Sequence, residues 1–143
     1  YSHVIYKRQQ TITGSAIEFI YCCLIELKYD GKINQLACAV RFPQYLCRKI
    51  GHAEPDAHFI FPKELYPEGS HLEYFLPTIP HLIDFVNYVN DVCSFYKESM
   101  VGSERLNFVY NVAKVRSLKV PGALRWTFDA TIECACTVRN ILS

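Results

Sequence analysis

The sequence predicts an all-α fold, and three observations carry that prediction. Apolar residues recur at three- and four-residue spacing from Ile17 to Leu27 and again from Leu82 to Val89. No alternating Val, Ile or Thr run of strand length appears anywhere in the 143 residues. Prolines and glycines fall between the periodic stretches, or where a helix tolerates them, as at Pro121. Half of the residues are hydrophobic and 14% are aromatic, enough for a real core and too apolar for a disordered chain.

Each element follows from local signals. The first helix is expected over residues 14–29, with Ser15 as N-cap and Glu18 closing a capping box. Ile17, Ile20, Tyr21, Leu24 and Leu27 follow along it, and Tyr29-Asp30-Gly31 marks its stop. A second helix is expected over 33–50, interrupted at Phe42-Pro43 and ending near Gly51. Pro55, Pro62 and Pro67 then punctuate a loop-rich stretch with room for one short helix. The helical pattern resumes at Ser70, and Pro77 and Pro80 kink or restart it. Thr78 is the expected cap of a helix from Pro80 to about Met100, with Leu82, Ile83, Phe85, Val86 and Val89 as its buried face. Val101-Gly102-Ser103 reads as a mobile break, followed by helices near 104–118 and 121–142. There is no internal repeat and no second domain.

Composition excludes several function classes. The net charge is +1 with no run of Lys or Arg, which argues against a nucleic-acid partner. Ser15 to Leu27 is broken by Glu18 and Glu26, and no apolar stretch reaches the roughly 20 residues of a membrane span. No signal peptide is visible. The seven cysteines are odd in number and sit mostly in apolar context, which fits reduced, buried thiols and a cytoplasmic location. Cys134-x-Cys136 lacks the second pair or the histidines of a zinc site. His52, His58, His71 and His81 show no partner spacing and read as surface or cap residues.

The chemistry concentrates in Asn90-Asp91-Val92-Cys93-Ser94-Phe95-Tyr96-Lys97-Glu98. Asn90, Ser94 and Glu98 stand at i, i+4 and i+8. On a helix that spacing drifts only about 40° per step, so all three oxygens share one face, about 6 Å apart along the axis. An amide, a hydroxyl and a carboxylate form a hard-oxygen set of low charge. Such a set suits Mg²⁺ that keeps some waters and takes further ligands from a substrate phosphate. Asp91 points about 100° away and reads as a supporting or salt-bridging carboxylate. The degenerate pattern should arise by chance in roughly one chain of this length in a thousand, so the bland alternative of a solvated helix face is the weaker one.

This pattern resembles the second metal-binding motif of class I terpene synthases, and more specifically that of the fungal trichodiene synthase-type sesquiterpene cyclases. The likeness extends through Phe42-Pro43-Gln44-Tyr45-Leu46-Cys47-Arg48, Phe61-Pro62-Lys63-Glu64 and Glu104-Arg105-Leu106-Asn107-Phe108. The resemblance implies an all-α class I terpenoid synthase bundle, of which residues 1–143 would be the second half, truncated at both ends. It implies that farnesyl diphosphate is the substrate, and that Asn90, Ser94 and Glu98 hold one of three Mg²⁺ ions. It also implies that Arg48 and Lys97 bind the diphosphate and that Gly51 permits an effector break in the preceding helix. Lys97 reads equally as a solvated ammonium, and Arg48 alternatively as a structural or surface cation. The aspartate-rich run and the Arg-Tyr pair expected in that family are absent from this sequence. Phe19, Tyr21, Phe85, Tyr88 and Trp126 could face a carbocation, although aromatics at helical spacing are usually core. Two rivals stand beside this reading. One is a prenyl chain-elongating enzyme, which would carry a second Asp-rich run at this position. The other is a non-catalytic helical fragment or scaffold keeping the motif as a relic.

Overall fold

A computed structural model describes residues 2–29, 36–50, 52–100 and 107–143, and among them every regular element is a helix. Helix α1 spans Ser2–Tyr29, α2 Phe42–Ile50, α3 Ala53–Phe59 and α4 Glu68–Phe75. A single 3-10 turn, Leu76–Thr78, leads into α5, Ile79–Met100. Helices α6, Phe108–Val115, and α7, Val120–Leu142, complete the order. The all-α prediction holds. Helix α5 is the centre of the arrangement, packing against α7, α3, α6 and α2.

Three expected helix starts are displaced, each for a physical reason. Helix α1 does not begin at Ser15 but runs through it from Ser2. Lys7-Arg8-Gln9-Gln10 are good helix formers, so nothing forces a start at Gly14-Ser15. The Ser15 hydroxyl instead lies 2.9 Å from the Thr11 carbonyl and 2.6 Å from the Glu54 carboxylate, able to donate to either. At Phe42-Pro43 the chain starts a helix instead of interrupting one. Residues 36–41 form turns closed by the Ala39 and Phe42 amides, each donating over 2.9 Å. Pro43 then occupies the first turn of α2, where its missing N–H costs nothing. Thr78 caps no helix: its hydroxyl donates back to the Phe75 carbonyl at 2.6 Å inside the 3-10 turn. The α5 backbone enters at Ile79, with Pro80 in its first turn. The predicted break at residues 101–103 and the effector position Gly51 lie outside the described residues.

Two apolar clusters hold the helices together. Ala57, Phe61, Phe75, Ile79 and Leu82 join α3, α4 and the start of α5, with the Phe61 and Phe75 rings stacked at 5.0 Å. Tyr88, Phe108, Val109, Val112, Ala113 and Ala123 join α5, α6 and α7. Trp126 packs on this second cluster, its ring 6.5 Å from Tyr88 and 6.4 Å from Phe108, with the Arg116 guanidinium 4.2 Å above it. Between α6 and α7 the chain turns in a Schellman motif. The Leu118 amide donates to the Ala113 carbonyl at 2.8 Å and the Ser117 amide to Lys114 at 3.3 Å. Ser117 takes the left-handed conformation that this turn demands, at φ 53°.

Burial corrects several side-chain expectations. On α5 the most buried residues include the polar Asp84 and Asn87 beside Leu82 and Tyr88, while Ile83, Phe85, Val86 and Val89 are only half-buried. His58, expected at the surface, is buried. Among the described residues the cysteines are not joined as disulfides, and Cys38, Cys93 and Cys136 are exposed where buried thiols were expected. The outer face of α1 presents Ile17, Ile20, Tyr21, Leu24 and Leu27 to solvent. The accessible surface is 9654 Å² for 16.5 kDa, against roughly 7500 Å² expected of a compact monomer of that mass.

Candidate metal and diphosphate site

Helix α5 carries the whole motif, because Asn90 to Glu98 fall within its last three turns. Four-residue steps on this continuous helix bring Asn90, Ser94 and Glu98 to one side. Their surroundings differ. Asn90 is exposed, whereas Ser94 and Glu98 are half-buried. The Ser94 Oγ is sealed from solvent and meets no hydrogen-bond partner among the described residues. The Nδ2 of Asn87, close to Ser94 in angle around the helix, is in the same condition. A buried hydroxyl without a partner costs free energy unless something supplies one. The amide–hydroxyl–carboxylate chemistry of the set, with this hydroxyl uncommitted among the described residues, suits a divalent cation held through oxygen.

The carboxylate of Glu98 has its own support. Asn107 donates from Nδ2 to Glu98 Oε2. The Asn107 Oδ1 meanwhile accepts from the Val109 amide at 2.8 Å and caps α6. Asp91 points elsewhere, as expected, but its partner is a thiol and not a cation: Cys47 Sγ donates to Asp91 Oδ2 at 3.3 Å. Burial pushes the Asp91 carboxyl up to about 6, the nearby Glu98 charge adds to this, and the Cys47 hydrogen bond opposes it. Burial and then the Asp91 charge push the Cys47 thiol far up, so it stays protonated and keeps donating.

Arg48 projects from α2 toward α5, where Asp84 grips it with a two-pronged pair. Nε reaches Oδ1 and Nη2 reaches Oδ2, both at 2.7 Å. The Arg48 side chain is 45% exposed and that of Asp84 12%, so the guanidinium keeps a face toward solvent while the carboxylate is enclosed. Gln44 completes the group, donating to Tyr88 Oη at 2.7 Å and more weakly to Asp84 Oδ2 at 3.4 Å. Lys97 is exposed near the end of α5. The structure thus brings Arg48 to the helix that bears the motif, and it leaves Lys97 at the surface.

Several of these partners escaped the sequence reading. Asp84 had a signal, an isolated acid within an otherwise apolar face. Asn107 had another, as an N-cap residue directly before the apolar run Phe108-Val109. Nothing local announces the contact of Cys47 with Asp91, 44 residues apart.

A family model described as Trichodiene synthase (TRI5) matches residues 8–143, nearly the whole chain. The chain belongs to this trichodiene synthase family. It is 39% identical over 132 residues to an "(E)-beta farnesene synthase" of Metarhizium brunneum, a match covering 92% of this chain and 40% of that protein. It is 33% identical over 102 residues to "Longiborneol synthase CLM1" of Gibberella zeae, covering 71% of this chain and 29% of that protein. "Trichodiene synthase" of the same fungus is 25% identical over 92 residues, covering 64% and 24%. The chain therefore spans about two fifths of the length of the first of these relatives. The trichodiene synthase family membership and the all-helical architecture agree with the resemblance carried by the α5 motif. No helix among the described residues is long and apolar enough to cross a membrane.

Proposed function

We propose that the complete protein is a Mg²⁺-dependent class I sesquiterpene synthase. On this reading it ionises farnesyl diphosphate, cyclises the carbocation and releases diphosphate. The present chain would be part of its cyclase domain, holding one of the three Mg²⁺ ions of the full enzyme. The observation that carries the reading is the enclosed Ser94 hydroxyl between Asn90 and Glu98 on α5, without a hydrogen-bond partner among the described residues. The family match and the terpene synthase names of the relatives support it. The uncovered apolar face of α1 and the large accessible surface support a larger bundle, with the remaining length of the protein covering them. A cytoplasmic location belongs to this proposal and rests on the cysteines, odd in number in this sequence and not joined as disulfides among the described residues.

Asn90, Ser94 and Glu98 would hold the ion, which when bound neutralises charge on the departing diphosphate. The remaining steps fall to side chains of this chain. Arg48 offers a planar fork to diphosphate oxygens, and its solvent-facing side is available to them while Asp84 holds it from behind. Lys97, free to swing at the surface, would add a second cation to the same group. The cluster of Tyr88, Phe108 and Trp126 keeps water out of the helix junction.

The test is direct. The complete gene product is incubated with farnesyl diphosphate, with and without Mg²⁺, and hydrocarbon products are analysed by gas chromatography–mass spectrometry. A Mg²⁺-dependent terpene that disappears in Asn90→Ala, Ser94→Ala and Glu98→Ala variants establishes the proposal. An inert complete protein that binds neither Mg²⁺ nor diphosphate returns the chain to the relic-scaffold reading.

A further inference from the structure

The motif's carboxylate is held by a residue outside the motif. We infer that Asn107 is a positioning residue for the metal site, fixing Glu98 while it starts helix α6. The inference rests on the proposed role of Glu98 as a Mg²⁺ ligand. Three features on α5 and α6 carry it. Asn107 is only 5% exposed, and its amide is committed at both ends. Its oxygen must accept from the Val109 N–H, because that bond caps α6. The amide orientation is thereby settled, and the nitrogen necessarily faces Glu98 Oε2. A flipped amide would set an oxygen against a carboxylate and an NH₂ against a backbone N–H, losing both bonds.

Helix α6 is in turn anchored by its own burial. Phe108, Val109, Val112, Ala113 and Val115 are all enclosed. Asn107 therefore registers Glu98 against the hydrophobic cluster of α5, α6 and α7. A glutamate side chain near a helix end otherwise samples many rotamers, and holding one carboxylate oxygen removes much of that freedom. On the proposed reading the other oxygen, Oε1, is the one that takes the metal. Carboxylate ligands oriented by such hydrogen bonds commonly lose 10- to 100-fold in metal affinity when the orienting partner is removed.

The experiment separates holding from capping. Serine and threonine both cap helices well, but neither carries the amide N–H that reaches Glu98. Mn²⁺ binding to the complete gene product, with inorganic diphosphate present, is followed by the loss of the free-ion electron paramagnetic resonance signal. The expected result is about a 10-fold weaker Mn²⁺ affinity in Asn107→Ser. The metal-free melting midpoint should stay close to that of the parent, whereas Asn107→Ala lowers both. In a Glu98→Ala background, Asn107→Ser should change Mn²⁺ affinity no further. Should the serine variant melt early, Asn107→Thr takes its place and the same affinity change is required of it. Parental Mn²⁺ affinity in the cap-preserving variant, alongside weakened binding in Glu98→Ala, overturns the inference and leaves the metal site standing. Unchanged binding in Glu98→Ala removes both.

Discussion

The two halves of helix α5 do different work. From Ile79 to Tyr88 it buries Ile79, Leu82, Asp84, Asn87 and Tyr88, with neighbours on both sides. From Asn90 to Met100 none of its residues is fully buried, and the polar groups of the motif lie between core and solvent. On the proposed reading, one continuous helix couples a scaffold half to a ligand half. The packed half fixes the rotation of the helix about its axis. The second half inherits that rotation and packs only in part, through Phe95, so Asn90 is exposed while Ser94 and Glu98 are half-buried. Folding stability should therefore tolerate side-chain change in the second half better than in the half that aims it.

Substitutions should divide along the same line. The largest loss is expected in the packed half: Leu82→Ala should cost about 2–5 kcal/mol, read from the urea midpoint of the complete protein. Equal tolerance at Leu82 and Ser94 would break the comparison.

Asp91 sits where the halves meet. Its folded-state carboxyl is raised to about 6, above the ordinary value of about 3.9. The folded protein therefore holds the proton more tightly than the unfolded chain. The stability that this contributes is present below about pH 4 and is lost as the pH rises through about 6. Asp91→Asn should flatten that slope, gaining on the order of 2–3 kcal/mol at pH 7 in metal-free protein. Urea unfolding at several pH values measures it, and an unchanged slope would show that Asp91 ionises freely.

At Asp84 the effect is smaller, because Arg48 keeps contact with water. Asp84→Asn should cost about 1–3 kcal/mol through the lost charge-assisted bonds, read from thermal midpoints. The smallest loss is expected from Ser94→Ala, which should leave metal-free protein as stable as the parent or more so. Its buried hydroxyl has no partner to lose among the described residues, so a divalent-ion titration should show a loss where unfolding shows none.

Much of this was legible in the chain itself. The period of the apolar residues marked α1 and α5, Pro121 marked the first turn of α7, and the absence of an alternating pattern argued against sheet. The motif stood out because helical spacing converts Asn90, Ser94 and Glu98 into a single face. Helix starts were less readable. Ser15 and Thr78 have the chemistry of caps, yet each hydroxyl lies near the carbonyl of a residue three or four positions earlier. Side chains of this type serve both purposes, and the sequence does not say which. The companions of the site were least readable of all. Asp84, Asn107 and Cys47 reach Arg48, Glu98 and Asp91 across gaps of 36, 9 and 44 residues. Such pairings arise from packing between helices, and no local window contains them.

Trp126 has an optical consequence. It is the only tryptophan of this chain. It lies against Tyr88 of α5 and Phe108 of α6, beneath the Arg116 guanidinium. An indole held among rings and a fixed cation emits at a wavelength set by that enclosure. Light absorbed at this one ring therefore reports whether α5, α6 and α7 stay docked, at the junction from which the ligand half of α5 takes its aim.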